Sequence, residues 1–194
     1  MFSGIVEQTA KADNIKKEKG GLRLFFKSSK SFKVKVGESV SADGVCSTVE
    51  KASGATLSFF YMPETLKKTT FSNLPNSHQF NLERPLKLQD LVSGHLVSGH
   101  IDTTAQVSSV KKGKDSTILK FKIAPKFTKY IIYKGSIAVN GVSLTVVSVN
   151  KNQFSVSLIP YTLSHTNLGQ LKVGNRVNIE IDQVAKYLEK LINK

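Results

Sequence analysis

The chain repeats itself, and this constrains its fold more than any other feature. Ser3-Gly4-Ile5-Val6-Glu7-Gln8-Thr9-Ala10 returns as Ser98-Gly99-His100-Ile101-Asp102-Thr103-Thr104-Ala105, 95 positions later. Asp43-Gly44-Val45-Cys46-Ser47-Thr48-Val49 returns as Asn140-Gly141-Val142-Ser143-Leu144-Thr145-Val146 at an offset of 97. Pro63-Glu64-Thr65-Leu66 and Pro160-Tyr161-Thr162-Leu163 keep that offset, as do Asn81-Leu82-Glu83 and Asn178-Ile179-Glu180. Four blocks in one order predict two homologous units, 1–94 and 95–181, followed by a tail at 182–194. Two copies, each long enough to be a domain, describe a tandem pair and not a solenoid.

Inside each unit the hydrophobic period is two. Leu22-Arg23-Leu24-Phe25-Phe26, Val34-Lys35-Val36 and Ser39 to Ala42 lead to an Asp-Gly turn, and Ala55 to Phe59 follows Ser53-Gly54. The second copy offers Thr117 to Ile123, Ser136 to Val139, Ser143 to Val149 and Phe154 to Ile159. Short runs of branched and aromatic residues between Asn, Asp, Gly and Lys turns read as β-strands. About six per unit, with no long helical pattern between them, predict an all-β protein of small antiparallel barrels or sandwiches. The tail differs: Val184, Leu188, Leu191 and Ile192 recur at helical spacing, and Asp182 stands where a helix cap belongs. So short a helix needs its apolar stripe packed, either on its own barrel or on another subunit.

Composition narrows the function classes. The net charge is +14, but the basic residues are scattered lysines with only Arg23, Arg84 and Arg176 as arginines. Surfaces that read phosphates or bases favour arginine forks, so the charge reads as a solvated surface that can steer anionic ligands. No specific nucleic-acid partner is expected. A single cysteine, Cys46, excludes an internal disulfide and a multi-cysteine metal site. The apolar run Ile137 to Val149 is interrupted by Asn140, Ser143, Thr145 and Ser148, well short of a membrane span of about 20 residues. Met1 to Gln8 lacks the basic-then-apolar pattern of a signal peptide. A cytoplasmic protein without membrane attachment is expected.

The repeated blocks also carry the chemistry. After each x-Gly turn, strand alternation puts Cys46 with Thr48, and Ser143 with Thr145, on one face. Either block alone is also ordinary sheet polarity beside a turn; the duplication predicts two similar pockets. Histidine is scarce, at 78, 95, 100 and 165, and His95 and His100 each follow a glycine. His100 takes the place held by Ile5 in the first copy, which allows two related units to form one asymmetric active site. A structural role for His100 is the alternative, and His95 with His100 lacks a convincing third metal ligand. No GxxxxGK phosphate loop or dinucleotide fingerprint is present. Ser143, His100 and Asp182 make a triad on paper, without the elbow motif that hydrolases use.

Met1-Phe2-Ser3-Gly4-Ile5-Val6-Glu7, with Gly99-His100-Ile101-Asp102-Thr103 and Asn140 to Val146, resembles the alpha-chain type of riboflavin synthase. The resemblance runs over essentially the whole chain. It implies two six-stranded antiparallel Greek-key barrels and a homotrimer held by the terminal helices, with no metal or redox cofactor. The implied reaction is dismutation of two 6,7-dimethyl-8-ribityllumazine molecules. One gives a four-carbon unit to the other, yielding riboflavin and 5-amino-6-ribitylaminouracil. In this family each active site lies where the amino-terminal barrel of one subunit meets the carboxy-terminal barrel of its neighbour. Association with lumazine synthase is not readable from the residues.

Carried over by the resemblance, the first barrel's ligand surface is Gly4, Ile5, Val6, Cys46, Ser47, Thr48, Met62, Glu64 and Thr65. The second barrel's is Gly99, His100, Ile101, Lys134, Ser143, Leu144, Thr145, Ile159, Pro160 and Thr162. Phe2 matches a residue that helps close the site. His100, Cys46, Ser143, Thr145 and Asp182 match positions implicated in the chemistry, in which a 7-methyl group loses a proton beside an electrophilic partner ring. His100 is expected to exchange that proton, with Ser143 and Thr145 orienting the reactants. Three departures stand out: Ser47 where the family commonly has leucine, Asn140 where aspartate is frequent, and Tyr161 opposite the repeat's own Glu64. Non-catalytic lumazine proteins share the duplicated barrel and form the alternative; charge alone suggests an RNA-binding barrel.

Overall fold

Alternation along the chain becomes the two faces of each strand. Leu22, Leu24 and Phe26 are buried while Arg23 and Phe25 between them are only partly so. A computed structural model describes residues 1–75 and 77–192; residue 76 and the last two positions of the expected terminal helix, 193–194, lie outside the described residues. The first unit contains β1 (Gln8–Glu18), β2 (Gly21–Lys27), β3 (Ser39–Ala42), β4 (Val45–Thr48), β5 (Lys51–Ser53), β6 (Thr56–Tyr61), the short helix α1 (Pro63–Lys68) and β7 (Gln79–Glu83). The second contains β8 (Thr103–Lys112), β9 (Thr117–Lys122), α2 (Pro125–Thr128), β10 (Ser136–Val139), β11 (Val142–Asn150), β12 (Gln153–Leu158), α3 (Pro160–His165) and β13 (Arg176–Ile181). Helix α4 (Gln183–Ile192) ends the described chain.

Both units share one topology, closed to different degrees. The second is a closed six-stranded antiparallel barrel in the order β10-β11-β12-β9-β8-β13. The first is a seven-stranded sheet, β4-β3-β7-β1-β2-β6-β5. Its two outermost strands, β4 and β5, are consecutive in the chain and together match the single strand β11. The difference arises at one corner. Val146 exchanges bonds with the turn before β10 (Lys134 N to Val146 O, 2.9 Å; Val146 N to Gly135 O, 2.9 Å), and β11 continues past it with a register shift between Val146 and Ser148. Val49 makes the same exchange with Gly37 and Glu38, both at 2.9 Å, but there the ladder breaks. Phe26, Phe59, Phe71 and Phe80 fill the first barrel in edge-to-face contacts, and Phe121 stacks on Phe154 in the second.

The barrels meet through a buried amide network that the duplication makes nearly symmetric. Asp43 N donates to Asn81 O and Asn140 N to Asn178 O, both at 2.9 Å. Asn81 Nδ2 then crosses to Asn140 O (2.9 Å), and Asn178 Nδ2 crosses to Asp43 O (3.0 Å). Asn167 adds its Nδ2 to Asp43 Oδ1 at 2.8 Å. These side chains are almost wholly buried, and their mutual bonds offset the cost of removing them from water.

Asp182 caps α4, accepting from Val184 N at 3.0 Å. The helix is tied to its own barrel by Ala185, by Lys186 Nζ on both Asp102 oxygens (3.0 Å), and by Glu189 on Lys129 and Tyr130. The expected stripe of Val184, Leu188, Leu191 and Ile192 is left more than half exposed, as is Tyr187. No helix among the described residues is long and apolar enough to cross a membrane.

Among the described residues, one buried side-chain polar atom is unsatisfied. Ser58 Oγ is buried with no hydrogen-bond partner, whereas its repeat equivalent Ser155 is 2.6 Å from Ser148 Oγ. In the first repeat Lys51 stands where the second has Ser148, so Ser58 has lost its mate. Ser58→Ala is expected to stabilise the protein by about 1 kcal/mol and Ser155→Ala to destabilise it by a similar amount. Chemical denaturation of both variants checks the opposite signs.

Candidate functional site

The paired motifs are assembled by an exchange between the repeats. Ser3 and Gly4 are held by Glu83, which accepts from Ser3 N (2.7 Å), Ser3 Oγ (2.8 Å) and Gly4 N (3.1 Å). Glu180 holds Ser98 and Gly99 in the same way, at 2.6, 2.6 and 2.9 Å. Burial pushes the Glu83 carboxyl up, against the opposing pull of those donors. Each anchored segment then docks on the other repeat. Gly4 O accepts from Ser143 N, and Gly99 O accepts from Cys46 N, both at 2.8 Å. There is no room for a side chain at either contact. A Cβ on Gly4 would lie 2.6 Å from Ser143 Cβ, and one on Gly99 would lie 2.6 Å from Cys46 Cβ. Both glycines have positive φ, 77° and 84°.

This exchange corrects the grouping expected from the sequence. Gly4, Ile5 and Val6 belong with Ser143, Leu144 and Thr145 on the second barrel; Gly99, His100 and Ile101 belong with Cys46 and Thr48 on the first. Val6 and Ile101 pack partly against the cores of those opposite barrels. The paper triad fails for the same reason, because it is His95 whose Nδ1 lies 2.7 Å from Ser143 Oγ. His95 N donates to Ser3 O at 3.1 Å, so the imidazole rides on the same anchored segment. Burial pushes its pKa below the ordinary imidazole value, while the Asp182 and Glu180 carboxylates pull it back up. His100 is exposed, its backbone N–H bonded to Ser98 Oγ at 3.2 Å. Among the described residues no imidazole is hydrogen-bonded to Cys46, and no three His, Cys, Asp or Glu side chains form a metal site.

Two further expected positions sit differently. The Ser47 hydroxyl turns into the barrel, 2.8 Å from Tyr61 Oη, because alternation sends it opposite to Cys46 and Thr48. Phe2 is wholly buried against Val97, Ala138 and Cys46, pairing with Val97 through backbone bonds of 2.7 and 3.0 Å; it supports the site from beneath. The remaining positions are open. Ile5, Met62 and Ile159 are about half exposed, Thr48, Glu64, Lys134, Thr145 and Pro160 are exposed, and Thr65 and Thr162 are partly so. A cleft of about 940 Å³ beside Ile5 and Glu83 runs along residues 84–93, and Cys46, Ser143 and Asp182 do not line it. The candidate site is thus a pair of open faces.

Comparison with known proteins bears on what these faces hold. The lumazine binding domain profile matches residues 3–85 and again 98–182. The riboflavin synthase of Actinobacillus pleuropneumoniae is 39% identical, covering 100% of this chain and 91% of that one. That of Escherichia coli (strain K12) is 42% identical, over 94% of this chain and 87% of that one. The chain belongs to the riboflavin synthase family. Solved structures of LumP share the fold: the riboflavin complex has a TM-score of 0.86 at 27% identity, covering 93% of this chain and 99% of that one. The complex of LumP with 6,7-dimethyl-8-(1'-D-ribityl) lumazine gives 0.84 at 25%, with the same coverage.

His95, Glu83 and Glu180 are the residues that the structure adds to the candidate site: His95 is noted in the sequence beside His100 but is not among the expected site residues, and neither are the glutamates. The glutamates stood in a recognised repeat block but had no assigned partner. His95 had a glycine before it, like His100, yet its contact with Ser143 spans 48 residues. NMR titration of the histidine ring protons is expected to place the His95 midpoint below 6.5. Asp182→Asn removes a carboxylate that pulls the pKa upward, so the midpoint should move further down.

Proposed function

We propose that this chain is a riboflavin synthase acting on two molecules of 6,7-dimethyl-8-ribityllumazine. One lumazine surrenders a four-carbon unit to the other, giving riboflavin and 5-amino-6-ribitylaminouracil. The two products together contain the atoms of the two substrates, so the exchange needs no external oxidant or reductant. The observation that carries this reading is the paired, exchanged construction of the Gly4–Ser143 and Gly99–Cys46 faces. Two copies of one substrate call for two faces of one design, and full-length identity to riboflavin synthases supports the same conclusion.

The residues divide the work by position. Ile5 and Ile159 give the second face apolar surface for a flat heterocycle, with Thr145 and Thr162 as polar contacts, while Leu144, like Ser47, packs on the core behind its strand; Ile101, Met62, Thr48, Glu64 and Thr65 play these parts on the first. At the second face a neutral His95 takes a proton through or beside Ser143 Oγ, and Asp182 stabilises the imidazolium that results. At the first face His100 lies on the segment docked against Cys46, where it can exchange protons with the second substrate. Holding both rings together replaces a bimolecular encounter with an oriented one. The half-exposed apolar residues of both faces and the open stripe of α4 support completion by neighbouring subunits in a homotrimer. The family's LumP structures favour one alternative, a ligand-binding protein without turnover; the His95–Ser143 pair argues for chemistry.

Purified protein, exhaustively chelated and given the lumazine, is expected to form riboflavin, and sedimentation equilibrium to show about three times the 21.3 kDa chain mass. Binding without riboflavin would favour the alternative, and a fully active monomer would overturn the shared site. In single turnover, His95→Ala is expected to slow riboflavin formation about 100-fold while changing lumazine affinity far less.

A further inference from the structure

The two barrels differ inside, directly behind the binding faces. Ser47 and Tyr61 in the first repeat correspond to Leu144 and Leu158 in the second, both at the offset of 97. Ser47 Oγ has one proton, and it donates to Val45 O at 2.8 Å. Tyr61 Oη, 2.8 Å away, therefore donates to Ser47 Oγ. Both side chains are nearly fully buried, and the tyrosine ring is fixed edge-on to Phe71 at 4.9 Å between centroids. Burial pushes the phenol pKa up, so the hydroxyl keeps the proton this bond needs.

The location of the pair gives it leverage. Ser47 sits between Cys46 and Thr48 on β4, and Tyr61 immediately precedes Met62 and α1, which carries Glu64 and Thr65. No ladder bond joins these two segments: β4 pairs only with β3, and pairing with β6 begins at Lys51 on β5. The equivalent segments of the second barrel are likewise unpaired before Val146. Across this gap the first barrel's direct link is between interior side chains, Ser47 and Tyr61. In the second barrel the equivalent side chains are apolar and belong to the non-directional packing of the core; in the first they form a hydrogen bond with preferred length and angle.

We propose that the Ser47–Tyr61 hydroxyl pair is a positioning element for lumazine, holding the Cys46–Thr48 edge against the Met62–Thr65 corner, so that the first face depends on a directional bond and the second does not. Two substrates of one structure are thereby held by faces of unequal rigidity. The inference rests on the reading that each face binds a lumazine.

The test is a titration of the full-length assembled protein with 6,7-dimethyl-8-ribityllumazine, followed by ligand fluorescence, beside thermal unfolding. Tyr61→Phe removes only the hydroxyl. It is expected to weaken one class of sites about 3- to 10-fold and leave the other unchanged. Ser47→Ala should do the same, and the double variant should be no worse than either single one. Ser47→Leu with Tyr61→Leu installs the second repeat's interior, and in that protein the two affinities should converge. It also provides a folded comparison if Tyr61→Phe fails to assemble. A lowered melting temperature with both affinities unchanged would reduce the pair to core packing and overturn the inference. Absence of lumazine binding by the unaltered protein would instead overturn the reading on which it rests.

Discussion

Two peptide hydrogen bonds, Ser143 N to Gly4 O and Cys46 N to Gly99 O, hold the functional architecture in place. They force a side-chain-free backbone at positions 4 and 99, with a left-handed conformation to match. They also need Glu83 and Glu180 behind them, each gathering three donors from the segment it anchors. Once a segment is fixed, everything attached to it is placed: His95 on Ser143, His100 near Cys46, Phe2 beneath both. A site assembled by backbone contacts is insensitive to the side chains beside it. The chemistry of the two faces could diverge without loss of the frame.

The divergence is concentrated where function would place it. The amide network between the barrels is nearly symmetric, with Asp43 and Asn140 sharing both a turn geometry and a set of partners. At the faces the symmetry fails. Among the described residues Ser143 has an imidazole partner and Cys46 does not; Ser47 bonds to Tyr61 where the second repeat has leucine at both equivalent positions, 144 and 158. A reaction in which one substrate gives and its twin receives is served by unequal surroundings, and in the proposed function these residues supply the inequality.

Local signals were the legible ones. Period-two runs gave the strands, the repeated blocks gave two barrels, and Asp182 with its downstream apolar spacing gave α4 and its cap. The tandem arrangement of the motifs also made the family resemblance visible. The exchange of Gly4 and Gly99 was not legible, because nothing in a motif says which barrel it will touch. Grouping neighbours in sequence put Gly4 with Cys46, whereas the contact it makes is with Ser143, far along the chain. Ser47 was mislaid by a subtler cause: alternation sends it inward, but a hydroxyl beside two ligand-facing residues looks like a third. The break between β4 and β5 has no clear composition signal either, since Val49 matches Val146, where the longer strand passes through.

The crossed segments make the chain equivalent to a symmetric dimer whose halves have been fused. Separate halves would complete each other only by mass action, and any substitution would appear on both sides of the symmetry axis. Covalent joining replaces that equilibrium with an effective concentration on the order of millimolar, whatever the dilution of the protein. It also removes the obligation to mutate in pairs. Serine can stand at 47 while leucine remains at 144, and a histidine can reach Ser143 without a counterpart at Cys46. Fusion turns a self-complementary interface into one that can distinguish its left side from its right.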